Sequence, residues 1–413
     1  MSEKMFTVPF PGRVGFVELK DGRFLALNGD SGIISKDRGR TWGDAYRIVT
    51  RDGRQIAGGR NSSIIRLASG KLAVQHCRTE DYGSQKALRM FCAASDDEGK
   101  TWSEEYPINL PGAKGWPLHD VMLQSKTGRL ILPVRACYAG SESERIAGQA
   151  RGTIHGHEIG VEGHAQYPEI DIAFVYYSDD EGKTWKTSEN EILGWPDDGK
   201  RGLYATDEPT VAQLPDGRLI MFARSTFGRI AEAWSDNDGR TWTRALPNEL
   251  CNSYSPARIR AIPGTGHLHC VWNQVTPAEI MGGFRRSRLT SAISRDGAKT
   301  WEHFKTLDVA DPLDKSPRQK PDPDYYFVVA GRKLGEMPDN YCIYRYPNAH
   351  YVGDMAYIDY DRESFTYPGS PARQRVVRVM PIESLYDDSK SDISLPNTPP
   401  EDTKAAVGEH IEE

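Results

Sequence analysis

The sequence lacks any long apolar run. No stretch of the 413 residues approaches the roughly 18 consecutive apolar residues that indicate a membrane-spanning helix. The first nine residues, Met1 to Pro9, also lack the apolar segment of a secretory signal. We therefore expect no membrane partner and a cytoplasmic location, with secretion left open as the alternative.

Cysteine and excess positive charge are also scarce. The six cysteines show no metal-like paired spacing and lie at positions 77, 92, 137, 251, 270 and 342. Buried, reduced thiols are the expectation, and we predict neither a metal nor another cofactor. Lys and Arg number 52 against 58 Asp and Glu, a net charge of −6 that argues against a nucleic-acid partner. An anionic ligand would need a local cluster of arginines.

What the sequence does contain is an octapeptide that occurs twice letter for letter and three more times in altered form. Its pattern is S-x-D-x-G-x-T-W, and we call each copy a box. The boxes span residues 35–42, 95–102, 178–185, 235–242 and 294–301. Their spacing is near 60 residues, with one longer interval after the second box. A recurring pattern of this kind indicates a repeat architecture.

The residue types of the box are those of a turn. Its Asp can accept hydrogen bonds from nearby backbone N–H groups, and its Gly permits a left-handed backbone. Its Trp can pack between neighbouring sheets. Asn237 replaces the Asp in the fourth box and Ala298 replaces the Gly in the fifth. We expect these two copies to form turns as well.

Each box follows an apolar run and an upstream hairpin signal. Val14–Leu27 and Pro209–Phe222 each contain two apolar runs joined by Asp-Gly, which favours a tight turn. The unit is therefore predicted to be strand, turn, strand, loop, strand, box, strand, which is one propeller blade. Pro347 to Asp361 again resembles a first hairpin. We predict an all-β, six-bladed β-propeller with four-stranded antiparallel blades and Asp-box turns.

One propeller domain is predicted to span residues 1–388. Residues 138–167 are rich in Gly, Ser, Glu and His and are predicted to be an insertion in the third blade. Its histidines (155, 157 and 164) leave metal binding open, but no matched third ligand is evident, and a loop that shapes a substrate pocket is favoured. Residues 389–413 are polar and acidic and predict a disordered or loosely docked tail.

The residues that lead into the first strand of each blade could share a pocket, because these strands line the axis of a propeller. All six positions are polar: Arg13, Arg60-Asn61, His119-Asp120, Asp207-Glu208, Ser253-Tyr254-Ser255 and Tyr346. Solvated rim residues would also be polar. Composition alone therefore leaves a rim and a binding site equally open.

The boxes and the number of units resemble the sialidase (neuraminidase) superfamily. Members of that superfamily open their first blade with an Arg, which matches Arg13, although their usual Ile-Pro is replaced here by Val14-Gly15. Their fourth blade is similar to the segment that begins with Glu208-Pro209 and ends with Arg224. Their fifth blade resembles Arg286-Ser-Arg-Leu-Thr290. The resemblance covers most of residues 10 to 380.

The resemblance implies a set of roles. Arg13, Arg224 and Arg286 would bind the carboxylate of a sialic acid, since guanidinium groups match carboxylates and stay protonated. Tyr346, with Tyr344 and Tyr341 as alternatives, would be the nucleophile, and Glu208 would take its proton. The acid would be Asp30 on a short loop of the first blade, with Glu80, Asp81 or Asp120 as substitutes. Arg60, His119 and Asp120 are further candidates for binding substrate.

Three functions remain open at this stage. The first is an exo-acting glycoside hydrolase that releases a terminal sialic acid or related acidic sugar from an oligosaccharide or small glycoside. The second keeps the fold but acts on another uronate or nonulosonate, on an arabinan-type sugar, or as a lyase. The third is a non-catalytic propeller that binds carbohydrate or protein. The oligomeric state is left open.

Overall fold

The computed structural model of the chain describes residues 5–12, 15–56, 61–82, 85–113, 115–137, 151–161, 170–196, 203–310, 313, 333–365 and 372–387. Apart from one α-helix, α1 (Pro277–Met281), and a 3-10 helix (Ile382–Tyr386), its regular structure is β-strand. In this part of the chain no helix is long and apolar enough to cross a membrane. The predicted all-β class is confirmed.

Six four-stranded antiparallel sheets account for most of the strands. After β1 (Phe6–Pro9), which belongs to the last sheet, the first sheet contains β2 (Phe16–Glu18), β3 (Phe24–Asn28), β4 (Ser31–Ser35) and β5 (Tyr46–Arg47). The second contains β6 (Ser63–Arg66), β7 (Leu72–Tyr82), β8 (Gln85–Ser95) and β9 (Tyr106–Pro107). The third begins with β10 (Leu123–Gln124) and β11 (Leu130–Cys137), is interrupted by β12 (Arg151–Ile154) and β13 (His157–Gly160), and ends with β14 (Asp171–Ser178) and β15 (Lys186–Thr187).

The remaining sheets repeat the same plan. The fourth contains β16 (Asp207–Gln213), β17 (Leu219–Arg224), β18 (Arg229–Ser235) and β19 (Leu246–Cys251). The fifth contains β20 (Arg258–Ala261), β21 (Leu268–Trp272), β22 (Arg288–Ser294) and β23 (Glu302–Val309). After β24 (Lys333–Glu336), the sixth contains β25 (Cys342–Val352), β26 (Met355–Ser364) and β27 (Ala372–Pro381).

The order of strands explains where the repeat begins and ends. In the first five sheets the strands pair in chain order, and the box lies between the third and fourth strands, as predicted. The sixth sheet has no box, and its fourth strand is β1, in which Phe6 lies opposite Val379. The sequence did not predict this strand, because four residues outside the repeat carry no recognisable pattern.

The box turns form by local hydrogen bonds. In the second box Ser95 Oγ donates to Asp97, whose carboxylate accepts from the backbone and hydroxyl of Thr101, and Gly99 N–H donates to Ser95 Oγ. Two successive residues, Glu98 and Gly99, have left-handed backbone. The altered fourth and fifth boxes make equivalent turns, as expected. In the fifth, Gly297 takes the first left-handed position and Ala298 the second.

Six hydrophobic clusters join the sheets in cyclic order. Each lies between consecutive sheets, and the last joins the sixth sheet to the first. The box tryptophans lie in these clusters, each at the junction with the preceding sheet, as predicted. From the first–second to the sixth–first junction, representative pairs are Leu25 and Leu72, Met90 and Leu132, Val175 and Met221, Phe222 and Cys270, Leu289 and Ile358, and Phe24 and Tyr357.

A seventh sheet departs from the predicted four-stranded antiparallel plan. It has three strands: β12 and β13 come from the predicted insertion, and β24 pairs with β12 in parallel. His155 and Gly156 form the β12–β13 turn, and Glu336 accepts hydrogen bonds from Thr153 Oγ1 and His155 N–H. The insertion is therefore partly ordered by strand pairing, which spacing along the chain could not predict. His164 lies outside the described residues.

All six cysteines lie in the described part of the chain, and none forms a disulfide. Four are buried, whereas Cys77 and Cys137 are partly exposed. The prediction of burial holds for four of the six, and that of reduced thiols stays a prediction.

Candidate active site

Among the described residues, the third, fourth, fifth and sixth sheets each have a left-handed residue just before or within the first strand. These residues are Asp120, Glu208, Tyr254 and Tyr346, with φ between 44° and 55°. Such a backbone is uncommon outside glycine and persists only where its surroundings enforce it. Because the four positions correspond from sheet to sheet, the fold presents two carboxylates and two phenols from one repeated backbone feature.

Two of these residues lie in β-bulges. Glu208 lies at a register shift in the β16–β17 pairing, and Tyr346 at one in the β25–β26 pairing. Each precedes a proline, Pro209 or Pro347, whose missing N–H is tolerated where the ladder is interrupted. A bulge re-aims a side chain and is common beside active sites. The two residues predicted to act as nucleophile and base thus share one local geometry.

Glu208 is held by a buried ion pair. Arg224 Nη1 donates to Glu208 Oε2 at 2.8 Å, and the two side chains are only 3% and 10% exposed. The same Nη1 lies 3.6 Å from Asp207 Oδ2. The Arg224 guanidinium also lies over the Tyr254 ring, 4.0 Å from its centroid. One arginine therefore contacts two carboxylates and a phenol ring.

Arg135 extends this cluster into the third sheet. Its Nε lies 2.9 Å from Asp207 Oδ1, its Nη1 donates to Asp171 at 2.8 Å, and its guanidinium lies 4.4 Å from the centroid of Trp116. Sequence reasoning missed Arg135. The sequence nevertheless contains a signal for it. The second strands of the third and fourth sheets are both apolar runs that lead to an arginine, and Arg135 matches Arg224 in this respect.

The electrostatics separate the two adjacent carboxyl groups. Burial raises the pKa of Asp207 to about 7, with the Arg135 guanidinium opposing this shift. Burial would also raise the pKa of Glu208, but Arg224, Arg135 and Arg286 together hold it below its ordinary value. Paired carboxyl groups whose pKa values are pushed apart are typical of acid–base chemistry. Here Glu208 is the ionised member and can accept a proton.

Arg286 connects Glu208 to Tyr346. Its charge acts on Glu208, and its guanidinium lies 5.6 Å from the centroid of the Tyr346 ring. Tyr346 is partly exposed, whereas the alternatives differ: Tyr344 is buried in the core, and Tyr341 Oη donates to Gly283 O at 2.8 Å. Of the three tyrosines, only Tyr346 lies in a bulge beside a predicted arginine.

His119 and Asp120 lie in a network that ties together the third, fifth and sixth sheets. Asp120 accepts from Arg260 at 2.8 Å and from Asn348 at 2.9 Å, and the His119 carbonyl accepts from Arg258 at 2.6 Å. Burial, with Arg375 and Arg258, holds the pKa of His119 well below its ordinary value, so the ring is neutral. The Asp120 carboxylate thus accepts hydrogen bonds from one side chain of the fifth sheet and one of the sixth, and its role in substrate binding stays a prediction.

The other predicted residues are Asp30, Glu80, Arg13 and Arg60. Asp30 is exposed on the β3–β4 turn, where its carboxylate accepts from Ser31 and Gln55, and no described contact links it to Glu208. Glu80 lies near the end of β7, in a long β7–β8 hairpin rather than in a short loop. Arg13 and Arg60 lie outside the described residues. Among the described residues, no group of His, Cys, Asp and Glu could hold a metal ion.

Solved structures share this fold. A protein of unknown function from Dyadobacter fermentans aligns at 16% identity with a TM-score of 0.56, over 91% of this chain and 95% of that one. Trypanosoma rangeli sialidase, in complex with 2,3-difluorosialic acid as a covalent intermediate, aligns at 15% identity with a TM-score of 0.51. That alignment covers 92% of this chain but 58% of the sialidase. An intramolecular trans-sialidase from Ruminococcus gnavus aligns at 15% identity with a TM-score of 0.50, over 94% and 96% of the two chains.

These identities are low, so the structural likeness establishes the fold alone. That fold is shared with the sialidases that the boxes resemble. A sequence profile described as a BNR repeat-like domain matches residues 28–373, which is most of the chain. The chain belongs to the BNR repeat-like domain family.

Proposed function

We propose that the chain is a six-bladed β-propeller and an exo-acting glycoside hydrolase of sialidase type, which releases a terminal sialic acid or a related acidic sugar. The cyclic order of the six clusters supports the propeller, because each sheet then packs as a blade between two neighbours. The observation that carries the function is the convergence of Arg224 and Arg286 on Glu208, with Tyr346 beside Arg286. No cofactor is needed.

The proposed chemistry uses these groups in order. Arg224 and Arg286, with Arg13, bind the substrate carboxylate. The Tyr346 oxygen attacks the anomeric carbon while Glu208 takes the phenolic proton, and the glycosidic oxygen leaves with a proton from an acid. A neutral phenol is not repelled by the substrate carboxylate, as an anionic nucleophile would be. Water then hydrolyses the bond between Tyr346 and the sugar.

The acid is proposed to be Asp30. The β3–β4 turn lies at the end of the first sheet where its second strand finishes, and Arg224 finishes the second strand of the fourth sheet. In a propeller these two ends face the same side. Exposure of the Asp30 carboxyl group suits a residue that meets the leaving group.

A second candidate function follows from the carboxyl groups that already lie beside the arginines of the cluster. In the described cluster the guanidiniums of Arg135, Arg224 and Arg286 face the carboxylates of Asp171, Asp207 and Glu208. An incoming carboxylate would have to share guanidiniums that already pair with carboxyl groups of the protein. This observation favours a glycosidase of the same fold that acts on a neutral sugar.

The deciding experiment measures release of 4-methylumbelliferone from its α-sialoside. Tyr346→Phe is expected to lower kcat by about 10⁴-fold or more because the nucleophile is lost. Glu208→Gln is expected to lower it by about 10²–10⁴-fold because the base is lost. Tyr351→Phe, on the same strand, is the matched control and should keep wild-type turnover. A mass gain on Tyr346 after incubation with 2,3-difluorosialic acid would identify the nucleophile.

The other outcomes separate the alternatives. Turnover of aryl glycosides of neutral sugars but not of the sialoside would replace the first candidate by the second. A folded wild-type protein that turns over neither class of glycoside, yet binds sugars on a glycan array, would be a carbohydrate-binding propeller.

A further inference from the structure

We infer that Arg375 is a positioning residue, which fixes the left-handed bulge that presents Tyr346. Arg375 lies on β27, two strands away from β25 in the sixth sheet. Its Nη2 donates to the Tyr346 carbonyl oxygen at 3.2 Å. The kinetic part of this inference rests on the proposed function, whereas its structural part does not.

The Arg375 guanidinium is fixed on several sides. Nε donates to Asp359 at 2.8 Å and Nη1 donates to Asp361 at 2.9 Å, both on the intervening strand β26. Nη2 lies 3.4 Å from His119 Nε2, and the His119 ring contacts the Tyr346 ring edge-on with centroids 5.8 Å apart. The side chain is 8% exposed. The group that bonds the Tyr346 backbone is therefore itself held in one orientation.

The bulge creates the need for this donor. Regular pairing between β25 and β26 breaks between Arg345 and Asn348, and Pro347 has no N–H to offer. A buried carbonyl that leaves the ladder needs another partner. A guanidinium can serve two carboxylates and a carbonyl at once because its five N–H groups point outward in one plane, which the point-like ammonium of lysine cannot reproduce.

The same device recurs at two other left-handed residues. The Tyr254 carbonyl accepts from Arg285 Nη2 at 2.5 Å, and the Asp120 carbonyl accepts from Arg258 Nη1 at 3.0 Å. These arginines are almost fully buried. Arg375 is the member of this set that acts on the predicted nucleophile, so its loss should affect the chemical step more than substrate binding.

The test compares Arg375→Lys with Arg373→Lys. Arg373 lies two residues earlier on β27, on the same face, and donates to Glu363 at 3.0 Å, but it is 43% exposed and has no described contact with Tyr346. Lysine at position 375 keeps a positive charge beside Asp359 and Asp361, so this variant should fold where Arg375→Met leaves the buried carboxylate of Asp359 and the partly exposed one of Asp361 without their cation. A thermal melt confirms folding of each variant.

Steady-state kinetics, the rate of labelling and backbone amide exchange test the role of Arg375. Arg375→Lys is expected to lower kcat on the sialoside by about 10²-fold with KM unchanged, because a small misplacement of a reacting group has an effect of that size. Labelling by 2,3-difluorosialic acid should slow in parallel. Backbone amide exchange in a peptide spanning residues 344–349 should be faster in Arg375→Lys than in wild type, and unchanged in Arg373→Lys.

The outcomes distinguish this inference from the proposed function. If wild type turns over no sialoside, the proposed function fails, and amide exchange alone then tests whether Arg375 fixes the bulge. Equal exchange in the two lysine variants would overturn the inference whatever the activity. A rise in KM with kcat unchanged would also overturn the inference, because that result would assign Arg375 to substrate binding.

Discussion

The two ends of each sheet are built by different means. At the box end, five copies of one sequence make the same turn by hydrogen bonds within seven residues, and each turn is complete in itself. At the opposite end, four described positions share a left-handed backbone, and the two that carry carboxylates, Asp120 and Glu208, pair with arginines from elsewhere in the chain. Repeats within one chain can therefore share backbone geometry at both ends of their sheets while they share sequence at only one end.

The largest expected contrast concerns loss of an arginine. Arg224→Met should lower the free energy of unfolding by about 3–5 kcal/mol, because Glu208 and Asp207 stay buried without their shared cation. Arg240→Met in the fourth box removes a 2.6 Å ion pair with Glu189 that is half exposed, and should cost about 0–1 kcal/mol. Urea titration of both variants measures the difference. Equal losses of unfolding free energy would mean that the candidate site depends on charge pairs no more than the box turns do.

A second contrast concerns pH. The folded-state pKa of Asp207, about 7, exceeds its ordinary value of 3.8. The fold therefore favours the neutral carboxyl group, and this contribution to stability is fully present below 3.8 and lost as pH rises through about 7. Unfolding free energies measured across this range should decline in wild type and decline less in Asp207→Asn. Parallel curves for the two proteins would contradict the prediction.

The smallest effect is expected at a box. Partial burial opposes ionisation of Asp97, but hydrogen bonds from Thr101 and Ser95 outweigh it and lower its pKa. The stabilisation is present above the ordinary value of 3.8 and is lost as pH falls through the lowered pKa. Asp97→Asn should cost up to about 1 kcal/mol at neutral pH, since Asn237 makes a similar turn in the fourth box. Equilibrium unfolding at neutral and acid pH should show the deficit only at neutral pH.

Much of the fold could be predicted from the sequence because its signals are local. The box turns, the hairpin before each box and the junction sites of the box tryptophans depend on residues within a few positions of one another. The pairing of β1 with β27 and of β12 with β24 could not be predicted. β1, β12 and β24 have four residues each, and their partners lie far away in the chain, so no periodicity marks them.

The candidate site was predictable only in part. Glu208, Arg224, Arg286 and Tyr346 were found by resemblance, and the structure brings them together; their catalytic roles stay predictions. Arg135 and Arg375 were missed as site residues because each acts through another sheet or strand, whereas Tyr254 was named among the residues that lead into the first strands. His119 and Asp120 were predicted from their place at the entry to a strand. The partners described for them are protein groups, so their roles in substrate binding stay predictions.

By itself, the sequence determined the number of units, the box turns and the all-β class, since hydrogen bonds over four residues and alternation along a strand need no distant partner. Three features depend on the tertiary structure: which carboxylates share an arginine, which tyrosine lies beside Arg286, and the pairing of β1 with β27 in the sixth sheet. Those features depend on charges and strands brought together from different sheets. Their energies are set by burial and by distance in space, which separation along the chain does not encode.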